Sequence, residues 1–437
     1  MRIMFTCFAH NTHFYPLVPM AWALRAAGHE VRVLSQAELA DTITSTGLTA
    51  VSVDQDGWTG WSETDPRAPE LFGRMYPDGV AHVQYFDFTG QDRRQWTWER
   101  LLSLEHVMVA ALYAAMNNEP MIEGSVAFAK SWQPDLVITE TYTFAGAVAA
   151  RAIGAAHARL VWGPDNARLA RAAFLAESSA QPLEHREDPS AEWLGAVLER
   201  YGCRFDEEIL TGQWTIDPTT PSARVDTGLH TVGVRYVPYN GPSVVPDFLR
   251  TPPERKRVCL TFGLTEREAG REVASLADIL DAVADLDAEF IATLDATQLR
   301  DVTKVPDNVR IVEFVPLNDL LPTCSAVVHQ SGVGTRATAE LHGVPQLMLT
   351  DGWDSELKGE HLERAGAGLA LPMAELTASA VRGGIARLLD EPSFTEQALQ
   401  LRQEILAEPT PADVVPLIEK LTAEHRARPA DVDKNRR

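Results

Sequence analysis

Cysteine is scarce in this sequence. There are four cysteines in 437 residues, and none of them belongs to a CxxC pair, so neither a zinc knuckle nor a dithiol redox motif is expected. Three of the four, Cys7, Cys259 and Cys324, lie in or beside apolar runs. Thiols in such places are typical of buried side chains in a reducing compartment, which favours a cytoplasmic location.

Positive charge is also in short supply. The chain has 39 Lys and Arg residues against 61 Asp and Glu residues, which gives a formal net charge of −22. Phosphate backbones and anionic lipid surfaces repel such a chain, so neither a nucleic acid nor a membrane is expected as a partner. A small phosphate ligand stays open, because the N-terminus of a helix can bind phosphate without any basic side chain.

Long apolar runs are missing as well. The longest, over residues 107–116, has half the length that a membrane-spanning helix needs. The opening segment MRIMFTCF is apolar but shorter than the core of a signal peptide. The apolar share of 45% and the charged share of 23% are those of an ordinary globular protein, and the length predicts two or three domains.

Short apolar strands alternate with amphipathic helices in both halves of the chain. This alternation is typical of parallel βαβ units, so each half is predicted to be a doubly wound α/β sheet. The segment 237–257 contains five prolines and predicts a linker between the halves. The predicted strands cover residues 3–8, 31–34, 49–53, 135–139, 158–162, 258–262, 289–294, 309–314, 326–329 and 346–349.

Residues 54–130 depart from this alternation and carry many aromatic side chains. Long insertions after parallel strands lie near the carboxyl edge of a sheet, where α/β proteins bind ligands. The aromatic residues therefore have two interpretations: a pocket for a flat or apolar molecule, or the core of a helical insertion.

The segment AVVHQSGVGTRATAE at 326–340 combines a buried strand, a glycine turn and a helix. Gly332 and Gly334 allow a ligand to approach the backbone, and the unpaired N–H groups of the new helix favour a phosphate or a diphosphate. Thr335 could cap the helix or bind a phosphate oxygen, and simple packing of the turn is the alternative. A dinucleotide site is disfavoured, since no glycine-rich turn follows the first predicted strand.

Polar side chains also follow other predicted strands. His13 comes after the first strand and Glu140 after the strand 135–139, so both are expected at one edge of the sheet. A histidine with an orienting acid can act as a general base, and a solvated loop histidine is the alternative. Asp354 could bind sugar hydroxyls, cap the following helix, or do both.

Several motifs make a specific resemblance. Together with the turn that carries His13, they resemble the motifs of GT-B glycosyltransferases, in the family 1-like group that transfers activated sugars to natural products. Within that group the chain is most similar to the actinomycete deoxysugar and aminosugar transferases of polyketide antibiotics. The closer match lies in residues 184–202, 212–218 and 239–246. The general match lies in PDLVITE at 134–140, VCLTFG at 258–263, FVPLNDLLPTCSAVVHQSGVGT at 314–335 and HGVPQLMLTDGWD at 342–354.

The resemblance implies two Rossmann-like domains that face each other across a cleft. Residues 1–236 would bind the acceptor, 258–395 would bind the nucleotide sugar, and 396–437 would form a helical tail. The implied reaction is an inverting transfer of a deoxysugar or aminosugar from a dTDP-sugar to a macrolide or an aromatic polyketide such as an anthracycline. It needs no metal and no cofactor beyond the sugar donor. A degenerate transferase that serves as a helper subunit is the alternative.

The resemblance also assigns the site residues. His13 matches the catalytic base and Glu140 the carboxylate that orients it, Val315 falls where backbone contacts the nucleobase, and Asp354 and Ser355 fall where sugar hydroxyls are held. The expected donor-binding residues are Gly263, Val315, His329, Gln330, Ser331, Gly332, Val333, Gly334, Thr335, Asp354 and Ser355. The expected acceptor-binding residues are Phe14, Tyr15, Trp58, Trp61, Phe86 and Trp96.

Three positions depart from the family pattern. Gln330 stands where relatives usually carry a histidine for the diphosphate, Ser331 replaces a glycine, and Ser355 replaces a glutamine. Because a neutral hydrogen bond is weaker than a charged one, the donor is expected to bind more weakly or in a different arrangement. The 184–218 match also implies an activator partner that resembles a cytochrome P450 without its haem ligand, and a homodimer is a further expectation.

Overall fold

The structure is a computed structural model that describes residues 1–53, 86–89, 92–261, 276–296, 298–300, 302 and 304–426. The chain divides into two compact units. The first unit comprises Met1–Pro218, Val225–Val234 and the chain from Pro409 onward, and the second comprises Thr219–Arg224 and Arg235–Glu408. The helix Pro392–Ala407 therefore lies in the second unit, and the helix Val415–His425 lies in the first.

The first unit is built on a parallel sheet with the strand order β3-β2-β1-β4-β5-β6-β7. The central strands β1, β4 and β5 are almost wholly buried and their sequences are largely apolar, as expected for strands that helices cover on both faces. The strands are β1 (Arg2–Thr6), β2 (Glu30–Gln36), β3 (Thr49–Val53), β4 (Leu136–Glu140), β5 (Ala156–Leu160), β6 (Trp214–Asp217) and β7 (Thr231–Gly233).

Four helices of the first unit begin after a residue whose side chain caps the helix. The helix Glu119–Trp132 begins after Asn118, whose side chain accepts a hydrogen bond from the Met121 amide, and ends at Gln133 in the left-handed conformation. A π-helical stretch, Met108–Tyr113, interrupts the preceding helical segment. The other helices are Asn11–Phe14, Val18–Ala26, Ala40–Ser45, Trp98–Val107, Ala114–Met116, Phe144–Ile153, Asn166–Ser179, Pro189–Glu199, Glu208–Thr211 and Val415–His425.

The second unit has a parallel sheet of its own, with the order β10-β9-β8-β11-β12-β13. Its core lies where apolar side chains of the strands meet the covering helices, as in the cluster that contains Leu260, Phe290 and Ile385. The strands are β8 (Arg257–Thr261), β9 (Glu289–Thr293), β10 (Val309–Val312), β11 (Ala326–His329), β12 (Gln346–Thr350) and β13 (Gly368–Pro372). The helices are Leu276–Val283, Leu317–Leu320, Val333–His342, Ser355–Arg364, Ala378–Asp390 and Pro392–Ala407.

The two parallel sheets confirm the predicted doubly wound α/β class. The strands β6, β7 and β13 were not predicted. The first two are four and three residues long, and β13 begins at a glycine and ends at a proline, so none of them has the long apolar pattern that marks a strand. In the proline-rich segment 237–257, Phe248 and Leu249 pack against a core cluster of the second unit.

The strand order places the polar residues of the first unit at a switch point. β1 pairs with β2 on one side and with β4 on the other, and β4 pairs with β5. The connections that follow β1 and β4 therefore run in opposite directions and open a crevice at the carboxyl ends of these two strands. The helix that follows β4 packs unusually close to the sheet. A Cβ atom at Gly146 would lie 2.2 Å from the Thr6 hydroxyl oxygen, so this approach requires glycine.

Candidate active site

His13 and Glu140 meet at the carboxyl edge of the first sheet. β1 ends at Thr6 and leads into the short helix that carries His13, while Glu140 is the last residue of β4. His13 Nδ1 lies 2.7 Å from Glu140 Oε1. The side chain of His13 is 16% exposed and that of Glu140 is fully buried. The histidine is therefore open to a ligand, while its carboxylate partner is closed off from solvent.

The Glu140 carboxylate accepts hydrogen bonds on both oxygens. Besides His13, Trp162 Nε1 donates to Oε1 at 3.0 Å, and the Tyr142 amide and the Thr143 hydroxyl donate to Oε2 at 3.0 and 2.8 Å. Burial alone would raise the pKa of Glu140, but the charge of His13 and these hydrogen bonds outweigh it and lower the pKa. The carboxylate thus stays ionised beside the imidazole.

Aromatic rings surround the imidazole of His13. Its ring centroid lies 4.5 Å from that of Phe8, 5.0 Å from Trp162 and 5.3 Å from His10. Burial, followed by the charge of His13, lowers the pKa of His10 to about 4, so His10 is neutral at neutral pH. Because Nδ1 of His13 faces a carboxylate, it carries the proton, and Nε2 is the nitrogen able to take one from a hydroxyl group.

The expected acceptor-binding residues are spread between the interior and the surface. Phe14 and Phe86 are 0% and 1% exposed, so both pack inside the first unit. Tyr15 is half-buried, and the half-buried Trp96 packs edge-on against Phe86 with ring centroids 5.2 Å apart. The remaining two candidates, Trp58 and Trp61, lie outside the described residues.

The glycine turn of the second unit follows β11 as predicted. His329 ends the strand, Ser331 adopts the left-handed backbone conformation with φ of 53°, and the helix Val333–His342 begins after Gly332. Gly332 and Gly334 are exposed, and Val333 and Thr335 are half-buried. The first N–H groups of this helix have no acceptor within the helix, so the turn offers donors to an anion.

The two residues before the turn present hydrogen-bond acceptors. His329 is 1% exposed, and its Nε2 lies 2.8 Å from Gln346 Oε1. Burial lowers the pKa of His329 to about 4, so the ring is neutral and its Nδ1 is an acceptor. Among the described residues, neither this Nδ1 nor Gln330 Oε1 has a hydrogen-bond partner.

Arg336, the basic residue within the glycine turn motif, points into the second unit. It is 3% exposed, its Nε donates to Glu340 Oε1 at 2.8 Å, and its Nη2 lies 2.9 Å from His361 Nδ1. Thr220 donates to the other oxygen of Glu340. These partners engage the guanidinium, so within this motif the backbone N–H groups and the neutral side chains are the groups left to face an anion.

Asp354 and Ser355 lie together at the start of the helix Ser355–Arg364, and both are 5% exposed. Asp354 Oδ1 pairs with Lys358 Nζ at 2.8 Å, and Oδ2 has no partner among the described residues. Ser355 Oγ donates to the Gly352 carbonyl at 2.6 Å and accepts from the Asp351 amide at 2.8 Å. Asp354 therefore keeps an oxygen for a ligand, whereas the Ser355 hydroxyl stabilises the turn.

Of the two remaining donor candidates, one lies within the described residues. Val315 is 3% exposed, and the neighbouring Phe314 is 47% exposed. Gly263 lies outside the described residues. The prediction from sequence did not include Phe314, Trp162, Thr143 or Lys358. Trp162 follows β5 at the same edge of the sheet where Glu140 ends β4. This position after a strand could have identified Trp162 as a site residue from the sequence.

The described residues contain no group of three or more His, Cys, Asp and Glu side chains that could hold a metal ion. In the same part of the chain, no helix is both long enough and apolar enough to cross a membrane.

Comparisons with known proteins place the chain in a family. Family models described as the N-terminal and C-terminal domains of erythromycin biosynthesis protein CIII-like proteins match residues 22–263 and 277–421. The chain is 51% identical to 10-deoxymethynolide desosaminyltransferase of Streptomyces venezuelae, with 99% of each chain covered. It is 49% identical to 3-alpha-mycarosylerythronolide B desosaminyl transferase of Saccharopolyspora erythraea, over 98% of this chain and 99% of the relative.

A solved structure shows the same likeness. The glycosyltransferase VinC, solved in complex with dTDP, has a TM-score of 0.86 and 36% identity, and the match covers 97% of this chain and 100% of VinC. The sequence matches and this structure agree over nearly the whole chain. The chain thus belongs to the erythromycin biosynthesis protein CIII-like family, and it is a glycosyltransferase of the GT-B fold.

Proposed function

We propose that this protein transfers a deoxyaminosugar from a dTDP-sugar to a hydroxyl group of a polyketide aglycone, with inversion at the anomeric carbon. The observation that carries the proposal is the His13–Glu140 pair, in which an accessible imidazole makes a 2.7 Å hydrogen bond to a buried carboxylate at the carboxyl edge of the first sheet. The relatives with 51% and 49% identity are both named as desosaminyl transferases, which supports an aminosugar donor.

In the proposed reaction His13 is the general base. Its Nε2 takes the proton of the acceptor hydroxyl, the oxygen attacks the anomeric carbon, and the bond to the diphosphate breaks. The ionised Glu140 holds Nδ1–H of the imidazole and stabilises the imidazolium that forms. A direct displacement of this kind inverts the anomeric configuration.

The second unit would hold the sugar donor. The N–H groups at Gly332–Thr335 face the growing negative charge on the leaving diphosphate. The unpartnered Asp354 Oδ2 would accept from a sugar hydroxyl or ammonium group. The backbone of Val315 would contact the nucleobase, and the exposed ring of Phe314 offers a surface on which the base can stack. No resident cofactor takes part in this scheme.

The experiment that tests this function is a transfer assay with a defined donor and acceptor. The purified protein is incubated with a dTDP-deoxyaminosugar and a macrolactone, with and without a co-expressed cytochrome P450-like partner, and the anomeric configuration of the product is read by NMR. We expect slow transfer by the chain alone and faster transfer with the partner. Full turnover without the partner would refute the activator, and no product in either arm would refute the function.

Replacing Gln330 by histidine is expected to strengthen dTDP binding. A charged hydrogen bond contributes about 1.5–3 kcal/mol against about 1 kcal/mol for a neutral one, so the dissociation constant should fall roughly twofold to thirtyfold. Since an imidazole carries its charge only when protonated, the gain should be larger at pH 6 than at pH 8.5. Isothermal titration calorimetry with dTDP at both pH values measures it.

Replacing Gln330 by leucine is the matched control. This variant fills a similar volume without a donor and should weaken dTDP binding at both pH values. If the histidine and leucine variants bind dTDP as the unmodified protein does, Gln330 does not face the diphosphate.

A further inference from the structure

We infer that Trp162 is a positioning residue for the reaction, because its indole contacts both members of the His13–Glu140 pair. The inference rests on the proposed function, since it concerns how the proposed base is held. Trp162 Nε1 donates to Glu140 Oε1 at 3.0 Å, the same oxygen that faces His13 Nδ1. The indole ring also meets the His13 ring edge-on, with centroids 5.0 Å apart at an interplanar angle of 75°.

These two contacts restrict different motions. The hydrogen bond keeps Glu140 Oε1 in place, so that the carboxylate cannot rotate away from the imidazole. The edge-on contact limits the tilt of the imidazole about its own hydrogen bond. Such restriction increases the rate of proton transfer from a bound hydroxyl group to the base, because a small misplacement of the reacting groups lowers that rate strongly.

Thr143 supports the other side of the carboxylate. Its hydroxyl donates to Glu140 Oε2 at 2.8 Å and accepts from the Phe8 amide at 3.0 Å. Thr143 is 0% exposed and precedes the helix Phe144–Ile153. Through this hydroxyl, the backbone that follows β1 is tied to the carboxylate at the end of β4. Trp162 and Thr143 therefore fix one oxygen of Glu140 each.

Two other titratable side chains, Cys7 and His10, interact with the charge of Glu140. Burial raises the pKa of the Cys7 thiol, and burial with the charge of His13 lowers the pKa of His10 to about 4. Neither group changes its charge between pH 6 and 8, so a shift of the acid limb of the rate profile in that range reports on the His13–Glu140 pair.

Replacing Trp162 by phenylalanine removes the N–H group and keeps a ring. The Glu140 carboxylate then accepts one hydrogen bond fewer, so its negative charge is less stabilised. The His13–Glu140 pair therefore binds its proton more tightly. We expect the acid limb of the kcat/KM profile to move up by about one pH unit, kcat at its plateau to fall roughly tenfold, and KM for both substrates to stay the same. Steady-state kinetics from pH 5.5 to 9 measure all three.

The control is Trp22→Phe in the same unit, where the lost N–H group donates to the Thr46 carbonyl at 3.1 Å. It should leave the profile unchanged. Thr143→Val should shift the limb in the same direction as Trp162→Phe, and Thr143→Ser, which keeps the hydroxyl, should restore the original profile.

Three outcomes would overturn the inference. An unshifted acid limb in Trp162→Phe would show that the indole does not support the carboxylate. A change confined to KM for the acceptor would make Trp162 a substrate contact. Equal shifts in Thr143→Val and Thr143→Ser would point to general loosening of the fold. Because His13→Ala tests the base itself, its failure to lower kcat would refute the proposed function separately.

Discussion

Replacing His13 by alanine is expected to lower kcat for sugar transfer by roughly 10²–10⁴-fold, the usual contribution of a general base. The imidazole lies 2.7 Å from a buried carboxylate, and alanine leaves the acceptor hydroxyl without a proton acceptor. The donor motif lies in the second unit, so KM for the dTDP-sugar is expected to change little. Initial rates at saturating concentrations of both substrates measure the effect.

His106 provides a matched control for this prediction. It belongs to another histidine–glutamate pair of the first unit, in which His106 Nε2 lies 3.3 Å from Glu187 Oε2 and the side chains are 39% and 60% exposed. His106→Ala should leave kcat unchanged, because an exposed pair offers no closed site for proton transfer. A loss of less than tenfold in His13→Ala, or equal losses in both variants, would contradict the role of His13.

Acidification is expected to destabilise the protein well before its carboxylates are protonated. Burial, with nearby arginines as a second cause, lowers the pKa of His157 and of His361 to about 3, and burial lowers that of His10 and of His329 to about 4. In the unfolded chain these side chains bind a proton near pH 6.5, whereas in the folded state they stay neutral. The contribution of these histidines to the free energy of unfolding is therefore complete above pH 6.5 and is lost as the pH falls toward 4.

The size of this effect follows from proton linkage. Between pH 7.5 and 5.5 each of the four histidines should cost about 1.4 kcal/mol of unfolding free energy, and the four together about 5.5 kcal/mol. His10 and His157 lie in the first unit, and His329 and His361 lie in the second. The unfolding transitions of the two units should therefore shift by similar amounts. Urea unfolding at both pH values, followed by circular dichroism, measures these shifts.

Single variants separate the histidines from other titrating groups. His361→Gln keeps an acceptor for Arg336 but cannot bind a proton, so it should flatten the pH dependence by about 1.4 kcal/mol over this range. His230 is exposed, and His230→Gln should leave the dependence unchanged. If both variants show the same slope as the unmodified protein, the buried histidines do not cause the loss.

The fold class was predictable because it is encoded locally. Strands such as β1 and β4 are short apolar runs, and helices such as Val333–His342 show the helical period and end at a glycine, Gly343. The short strands β6, β7 and β13 were missed because their pairing depends on the finished sheet rather than on a pattern of their own.

The candidate site was predictable where it follows a strand end. His13 and Glu140 were expected at one sheet edge, and the structure joins them although they are 127 positions apart. The inward turn of Arg336 was not expected. Glu340 lies one helical turn further on, and its buried carboxylate pairs with the Arg336 guanidinium. Neither charge is stable in the interior alone.

By itself, the sequence determined two doubly wound units, a glycine turn before a helix and a histidine and a glutamate after neighbouring strands. These features depend on residues close in sequence and on the common direction of parallel strands. Only the tertiary structure decided that Trp162 and Thr143 hold the two oxygens of Glu140 and that the Ser355 hydroxyl stabilises a turn. A buried polar atom takes whichever partner the packing brings within about 3 Å, and sequence spacing does not specify that partner.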